Sequence, residues 1–157
     1  MLRPYRIEDF EAFASYFASP RSIYTDGPVS RVAAWDLFTA GAGRWVVAGH
    51  GAWTIERKAD GSALGLVSLN TAITLPDPEL GWILWEGYEG QGYAYEAALN
   101  ARNFAFDILG WGSKLISGIH QGNTASIGLA ERLGAERDTA LVVDDEPKTL
   151  FYRYKPQ

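Results

Sequence analysis

Cysteine is absent from this 157-residue chain, and histidine occurs only at His50 and His120. The chain therefore holds no disulfide and no catalytic thiol, and two distant histidines do not predict a metal site. It also lacks a run of 18 apolar residues and an apolar leader at its start, so we expect a cytoplasmic protein without a membrane span. Its 14 basic and 19 acidic side chains give a net charge of −5, which argues against a general nucleic-acid-binding surface.

The composition that is present is typical of a soluble globular protein, with 47% hydrophobic and 21% charged residues. A chain near 150 residues buries roughly 68–70% of its unfolded surface, which is enough for a core without disulfides or metal. No internal repeat, low-complexity tract or linker divides the sequence. We therefore predict a single domain over residues 1–157.

Hydrophobic periodicity predicts alternating helices and strands. The predicted helices cover 10–17, from Ser30 to about Gly41, from about Ala94 to Gly110, and 124–133. The predicted strands cover 2–6, 52–57, 64–69, 80–85, 115–120, 141–143 and 149–154, and the segment 44–50 stays open between helix and strand. Strands joined by tight turns are antiparallel, whereas the helix-bearing connection from Trp85 to Leu115 predicts a parallel pair, so a mixed α/β sheet follows.

A glycine-rich loop separates a buried strand from a helix, with glycines at 87, 90 and 92. Glycine lets backbone N–H groups approach a ligand closely, and a helix N-terminus adds about half a positive charge. The loop therefore predicts an anion site suited to a pyrophosphate, although such glycines also occur in ordinary turns. A dinucleotide fingerprint would need glycine where Tyr95 stands, and a Walker loop would need a Gly-Lys-Ser/Thr triplet that does not occur.

Four blocks between residues 79 and 135 resemble the GNAT N-acetyltransferases, and most closely the RimJ/RimL-like branch. The blocks are Glu79-Leu-Gly-Trp82, Gly90-Gln-Gly-Tyr-Ala-Tyr-Glu-Ala97, Asn123-Thr-Ala-Ser126 and Glu131-Arg-Leu-Gly-Ala135. The resemblance implies the GNAT acyl-CoA N-acyltransferase fold, with about six to seven strands, about four helices and a splayed central parallel pair. It also implies acetyl-CoA as co-substrate and no metal.

The same resemblance implies which residues bind acetyl-CoA. Backbone N–H groups of the loop would hold the pyrophosphate, at Gly90, Gln91, Gly92, Tyr93 and Ala94. The central strand would pair with the pantetheine arm, at Trp82, Ile83, Leu84 and Trp85. Asn123 would contact the pantetheine and Ser126 would lie near the departing thiolate, although Asn123 also suits a helix cap.

The sequence departs from the family pattern at two positions. Glu89 stands where the family often has arginine or glutamine, and a carboxylate there disfavours a nearby pyrophosphate. Ala130 stands where many members have a tyrosine that protonates the departing thiolate. Ser126 matches the serine that takes this role in the RimL-like branch; alternatively it bonds its own backbone in the first helical turn.

The reaction implied by the resemblance is N-acetylation of a primary amine, on a small molecule or a protein N-terminus, by direct attack in a ternary complex. A free ammonium has a pKa near 10, so the amine must lose a proton before it attacks. Glu79 and Glu86, which flank the central strand, are the predicted bases, and His120 is a third candidate. All three also suit purely structural or solvated roles.

The acidic balance of the chain favours a cationic acceptor. The first two helices, with Tyr24, Trp35 and Phe38, and the connection 70–79 are expected to form the acceptor side. Alternatives are a degenerate GNAT domain that binds acetyl-CoA as a sensor or interaction module, and an α/β protein whose loop binds another phosphate. The aromatic strand 150–154 suggests pairing across a homodimer.

Overall fold

The protein consists of a seven-stranded sheet flanked by four helices in the computed structural model, which describes residues 1–156. The strands are β1 (Leu2–Arg3), β2 (Ala52–Glu56), β3 (Ala63–Asn70), β4 (Glu79–Leu84), β5 (Ile116–His120), β6 (Ala135–Arg137) and β7 (Thr149–Tyr154). The helices are α1 (Phe10–Ala18), α2 (Arg31–Ala48), α3 (Tyr93–Asp107) and α4 (Thr124–Arg132). The strand order is β1-β2-β3-β4-β5-β7-β6. Among residues 1–156, no helix is both long enough and apolar enough to cross a bilayer.

The sheet is mixed, as predicted. β4 and β5 run parallel and every other neighbouring pair runs antiparallel. The parallel pair is the one whose connection carries α3, because a parallel neighbour needs a crossover long enough to return to the same end of the sheet. This places the only parallel pairing found in residues 1–156 at the centre of the sheet.

Each face of the sheet carries its own core, because successive strand residues point to opposite faces. On β3, Val67 and Leu69 pack against α3 and α4, whereas Leu66 faces α1 and α2. The second face is rich in aromatic rings, and we call this set the aromatic cluster: Phe10, Phe13, Phe17, Phe38 and Trp85. The predicted apolar stripe of α1 supplies three of these rings, which confirms the helix and its orientation.

Helix α2 is longer than predicted and includes most of the segment left open. It runs through Gly41 to Ala48 and ends at Gly49, whose φ of 72° lies in the left-handed region. Gly41 does not stop the helix and is instead one of its buried residues. A Cβ at this position would touch the Ala52 Cβ at 3.4 Å and the Tyr5 ring at 3.4 Å.

The strand predicted at 141–143 is wrong. Instead β6 follows α4 directly, and its Ala135 pairs with Tyr154 of β7. The Asp138 carboxylate accepts hydrogen bonds from the N–H groups of Ala140 and Leu141, at 3.1 and 3.2 Å, which turns the chain away from the sheet. Val142 is consequently 74% exposed.

The suggestion that residues 150–154 pair across a homodimer is also wrong for this fold. β7 lies between β5 and β6 and is hydrogen-bonded to both. A strand with neighbours on both sides has no free edge for another chain.

A buried ion pair ties the start of the chain to the sheet. The Arg3 guanidinium donates to both oxygens of Asp9, at 2.7 and 2.8 Å, and also pairs with Glu56. The Thr54 hydroxyl and the Arg6 N–H each donate to Asp9 at 2.8 Å. Asp9 is only 7% exposed, so these four donors replace the water that its carboxylate gives up.

Candidate active site

The site begins where the parallel strands separate. β4 and β5 pair at one position, Glu79 with Ile116, and the Ile116 N–H donates to the Pro78 carbonyl at 2.9 Å. Beyond this point the Ser117 hydroxyl donates to the Leu80 carbonyl at 2.5 Å, so a side chain takes the place of the next ladder bond. The two strands then diverge, which confirms the predicted splay.

The alternation of β4 decides which backbone groups face the opening. The Trp85 N–H donates to the Leu64 carbonyl of the β3 side at 2.8 Å. In an antiparallel pair the bonded residues alternate, so every second residue before Trp85 also turns toward β3. The backbone groups of Leu80, Trp82 and Leu84 therefore point to the opposite edge, into the gap. Such an edge can receive an extended ligand that carries amides.

Two residues predicted to pair with that ligand do not do so through their backbone. Ile83 turns its backbone to β3 and contributes only its side chain to the cleft. Trp85 lies outside β4, is 9% exposed, and packs with Phe13 in the aromatic cluster. The prediction for Trp85 is therefore wrong. Its backbone N–H is bonded to the neighbouring strand, and its ring is packed in the aromatic cluster.

The glycine loop has the backbone form that the anion-site prediction requires. The φ angles of Gly87, Gly90 and Gly92 are 88°, 74° and 85°. Apart from the two neighbouring residues in the chain, a side chain at any of the three positions would meet no atom of residues 1–156 within 4 Å of its Cβ, so the loop faces open space. The conformation costs glycine little and other residues much more.

Helix α3 opens directly from this loop, with Gly92 at its N-cap. Its first intrahelical bond runs from the Glu96 N–H to the Gly92 carbonyl, at 3.0 Å. The preceding N–H groups, those of Tyr93, Ala94 and Tyr95, are therefore available to a ligand. An anion at the loop would meet these donors together with the positive end of a four-turn helix dipole.

Two cavities meet at the split. The smaller, about 330 Å³, lies between the β4 edge, the glycine loop and α4. The larger, about 410 Å³, lies between β4, β5 and the segments that lead into α2. They share six lining residues: Tyr24, Thr25, Trp82, Ile83, Asn123 and Ser126. A ligand in one cavity can therefore touch a ligand in the other at this junction.

Asn123 and Ser126 lie at the junction, at the start of α4. The Asn123 Oδ1 accepts from the Ser126 N–H at 3.2 Å, so Asn123 does cap the helix, and its Nδ2 is left for a ligand. The Ser126 hydroxyl lines both cavities and has no hydrogen-bond partner within residues 1–156. Ala130, by contrast, is fully buried in the core and offers no hydroxyl to the cleft.

Glu79 lies at the start of β4 on the wall of the larger cavity. Burial raises the pKa of its carboxyl to about 7, against the lowering effect of the Gly118 N–H, which donates to Oε1 at 3.0 Å. The negative charges of Glu146 and Asp26 raise this pKa further. A carboxylate with this pKa can accept a proton near neutral pH.

The other two candidate bases differ from Glu79 in position. Glu86 is exposed in the turn after β4 and lines neither cavity, so the structure does not bring it to the site. His120 lines the larger cavity, where its ring stacks on Tyr24 at 4.9 Å between centroids. Its Nδ1 accepts from the Gly122 N–H at 3.0 Å, which fixes the ring orientation.

The acceptor side agrees with the sequence in part. Tyr24 lines both cavities, and the predicted segment 70–79 contributes Leu75 and the first residue of β4, Glu79. Trp35 and Phe38 do not line the larger cavity and pack instead against the Phe10 ring, edge-to-face and tilted respectively. The sequence analysis missed four cavity residues from four separate segments: Tyr5, Asp26, Arg44 and Glu146.

An ion pair that the sequence does not indicate lies at the mouth of the smaller cavity. Arg21, from the 3₁₀ segment Pro20–Tyr24, pairs with Glu89 and donates to the Leu84 carbonyl at 3.2 Å. The second oxygen of Glu89 accepts from the Gly87 N–H at 2.8 Å. The charge of Glu89, which departs from the family pattern, is thus neutralised by Arg21 from a distant segment of the chain.

No group of three or more His, Asp or Glu side chains in residues 1–156 is arranged to hold a metal ion.

Comparison with known proteins gives one family and a set of similar structures. The family model described as an acetyltransferase (GNAT) domain matches residues 1–136. The acetyltransferase from Agrobacterium tumefaciens strain C58 is 38% identical, with 99% of this chain and 90% of that chain covered and a TM-score of 0.93.

Two more distant structures share the fold. A GNAT-family acetyltransferase from Bacillus anthracis is 18% identical over 98% of this chain and 91% of its own, with a TM-score of 0.76. The spermidine N-acetyltransferase from Vibrio cholerae, solved in complex with CoA and spermine, is 16% identical over 98% and 92%, with a TM-score of 0.75.

Proposed function

The chain belongs to the GNAT acetyltransferase family and is an acetyl-CoA-dependent acyltransferase; from this premise we propose that it acetylates a primary amine, on a small molecule or a protein N-terminus, by direct attack in a ternary complex. The observation that carries the proposal is the meeting of two cavities at Trp82, Asn123 and Ser126, with Glu79 on the wall of one of them. We further propose that residues 1–157 form one domain of the RimJ/RimL-like branch, which the spacing of Asn123 and Ser126 supports.

The thioester arm of acetyl-CoA lies along the smaller cavity and brings an activated acetyl group to the junction. The glycine-loop N–H groups, at Gly90, Gln91, Gly92, Tyr93 and Ala94, bind its pyrophosphate. The backbone of Trp82 and Leu84 pairs with the pantetheine amides, because these are the groups that face the gap. The Asn123 Nδ2 is free to donate to the same arm.

The acceptor occupies the larger cavity with its amine at the junction. Glu79, directly or through a water, takes a proton from the ammonium and leaves the nitrogen lone pair free to attack. The N–C bond forms as the C–S bond breaks, and the electron pair leaves on sulfur. A thiol has a pKa near 8.5, so the thiolate departs readily, and it takes up, through the Ser126 hydroxyl or a water, the second proton that the acylated nitrogen gives up. Catalysis therefore rests mainly on positioning.

Charge in the larger cavity supports a cationic acceptor. Asp26, Glu79 and Glu146 reach its wall from three separate segments. Arg44 is the one Arg or Lys side chain that lines this cavity within residues 1–156, so the acidic groups outnumber it and favour cationic amines, in line with the net charge of −5.

Calorimetry with acetyl-CoA and with CoA at moderate salt, followed by thiol detection across a panel of amines, tests the function. We expect one saturable site for acetyl-CoA and thiol release that depends on the amine. No binding of either ligand would contradict the proposal.

The degenerate domain is the second candidate, and two observations favour it. Ala130 places no tyrosine hydroxyl in the cleft, and Glu89 puts a carboxylate in the anion loop. Quenching of tryptophan fluorescence by acetyl-CoA, without thiol release for any amine, would select this alternative. Tighter binding of a simple nucleotide than of CoA would instead indicate a site for another phosphate.

A further inference from the structure

We propose that Arg21 binds a phosphate of CoA and that Glu89 competes with that phosphate for the Arg21 guanidinium. The affinity for the co-substrate would then depend on both members of the ion pair, since Arg21 attracts the phosphate and Glu89 repels it. This inference rests on the proposed function, because it assumes that the smaller cavity takes CoA.

The position of Arg21 points to this role. Its Nη2 donates to the Leu84 carbonyl at 3.2 Å and to the Glu89 carboxylate, and so bridges the end of β4 and the glycine loop. Arg21 lines the smaller cavity together with Gly90 and Gly92. It therefore places a positive charge beside the N–H groups that suit an anion.

The guanidinium has donors to spare. It carries N–H groups on three nitrogens in a planar fork, which matches phosphate oxygens two at a time. Of these nitrogens only Nη2 of Arg21 donates to a partner within residues 1–156, which leaves Nε and Nη1 for a ligand. The Tyr16 ring, 5.6 Å from the guanidinium carbon, holds the side chain over the cleft.

Glu89 acts in the opposite direction. Its carboxylate accepts from the Gly87 N–H at 2.8 Å, so a negative charge already lies in the loop before an anion arrives. A phosphate that binds beside it meets like-charge repulsion and must share or displace the Arg21 contact. Removing the charge of Glu89 while keeping its shape should therefore tighten phosphate binding.

The Leu84 carbonyl links the pair to the rest of the cleft. This carbonyl faces the gap and is one of the acceptors that an extended amide ligand would use. The Arg21 contact occupies it. When the guanidinium turns to a phosphate, the acceptor is released to the incoming arm, so the two binding events assist each other.

Calorimetry on four proteins tests the inference: the wild type, Arg21→Ala, Glu89→Gln and the double variant. The ligands are CoA, dephospho-CoA and pantetheine, which carries no phosphate. We expect Arg21→Ala to weaken CoA about tenfold and pantetheine less than about twofold, in keeping with loss of one charge-assisted contact. We expect Glu89→Gln to tighten CoA about threefold, and we expect this factor to change when Arg21 is absent, because the two side chains are coupled.

The exposed ion pair between Arg31 and Glu11 provides the matched control, since it lines neither cavity. Arg31→Ala and Glu11→Gln change the net charge equally and should leave the affinity for CoA unchanged. If Arg21→Ala weakens CoA but not dephospho-CoA, the contact is to the 3′-phosphate; if it weakens both, the contact is to the diphosphate.

Three results would overturn the inference while leaving the proposed function intact. The first is that Arg21→Ala changes the affinity for CoA by less than about twofold. The second is that Arg21→Ala weakens pantetheine as much as it weakens CoA. The third is that Glu89→Gln weakens the binding of CoA. The equal loss would mean that Arg21 supports the shape of the cleft and does not bind a phosphate. Absence of CoA binding by the wild type would overturn both proposals at once.

Discussion

The hydroxyl of Ser117 donates to the main-chain carbonyl of Leu80 at 2.5 Å, at the point where β4 and β5 part. The same hydroxyl lies 2.9 Å from the Tyr154 hydroxyl of β7. Both side chains are almost completely buried, so this bond satisfies a carbonyl that the sheet no longer pairs. A single hydroxyl therefore stabilises the opening on which the cleft depends.

Ser117→Ala should lower the free energy of unfolding by about 1–3 kcal/mol, because it leaves the Leu80 carbonyl buried without a donor. We also expect weaker binding of CoA, since the edge of β4 loses its fixed position. Chemical denaturation and calorimetry measure the two effects. Ser113→Ala, at an exposed serine, is the control. Unchanged stability of Ser117→Ala would mean that water replaces the hydroxyl.

The activity should depend on the ionisation of Glu79. Its pKa is about 7, so kcat/KM should rise with pH through about 7 and then level off, as the carboxylate becomes available to accept a proton. Glu79→Gln keeps an oxygen for the Gly118 N–H but cannot take the proton, and should lower kcat about 10²–10⁴-fold and remove the rise. The pH–rate profiles of both proteins measure this, with Glu86→Gln as the control. An unchanged profile would exclude Glu79 as the base.

Ionisation of Glu79 should also lower the stability of the fold, so stability should fall over the pH range in which kcat/KM rises. The folded pKa of Glu79 lies above its ordinary value of 4.5, so its favourable contribution is complete below pH 4.5 and is lost as the pH rises through about 7. Glu79→Gln removes the cost of holding a buried charge. We therefore expect the variant to have a higher Tm than the wild type at pH 8, with a smaller gain at pH 5. A gain independent of pH would contradict this linkage.

Gly92→Ala tests the glycine loop. A left-handed conformation costs a residue with a Cβ about 1–2 kcal/mol, and the added methyl group would project into the open space beside the loop. We expect a clear loss of CoA affinity by calorimetry. Gly61→Ala is the matched control, because Gly61 has a φ of 74°, equally open surroundings and a place in the β2–β3 turn away from the cleft. Equal effects of both variants on CoA affinity would remove the loop assignment.

Ser126→Ala tests the hydroxyl at the junction. The Ser126 N–H keeps its bond to Asn123, so the helix start and the affinity for acetyl-CoA should be preserved. Turnover should fall only a few-fold, because a thiolate of pKa near 8.5 needs little help to leave. Steady-state kinetics with calorimetry separate the two quantities. Unchanged turnover would assign Ser126 to the helix alone.

Asp9→Asn should destabilise the fold by about 3 kcal/mol at neutral pH, because it leaves part of the buried Arg3 charge without a partner. Burial acts to raise the pKa of Asp9, but the hydrogen bonds from Arg3, Arg6 and Thr54 outweigh it and hold that pKa below 3.8. A depressed pKa contributes stability above its unfolded value and loses it as the pH falls. The difference between variant and wild type should therefore shrink below about pH 4. Exposed Asp36→Asn should show neither effect.

Local patterns were sufficient for most of the fold. The stripe of α1, the antiparallel pairing of β2 with β3, and the parallel crossover through α3 followed from periodicity and from the positions of turns along the chain. The alternation predicted for β2 held less well, because Thr54 is buried as well as Ile55. The glycine loop followed for the same reason, since a left-handed backbone is a local requirement. Two predictions from weaker patterns were wrong: Gly41 was predicted to end a helix, and residues 141–143 were predicted to form a strand. In each case a contact from a distant segment decided the outcome, with Ala52 at the first and Arg153 on Asp138 at the second.

The sequence by itself determined the family, through four blocks in the right order, and the glycine-rich loop that we propose as the binding segment for the co-substrate. Only the tertiary structure decided between Glu79 and Glu86, which flank the same strand; one lies in the split beside β5 and the other in an exposed turn. The ion pair between Arg21 and Glu89 is likewise visible only in the tertiary structure. Charge pairs, buried carboxylates and cavities are properties of segments that meet in space, and spacing along one chain does not encode which segments those are.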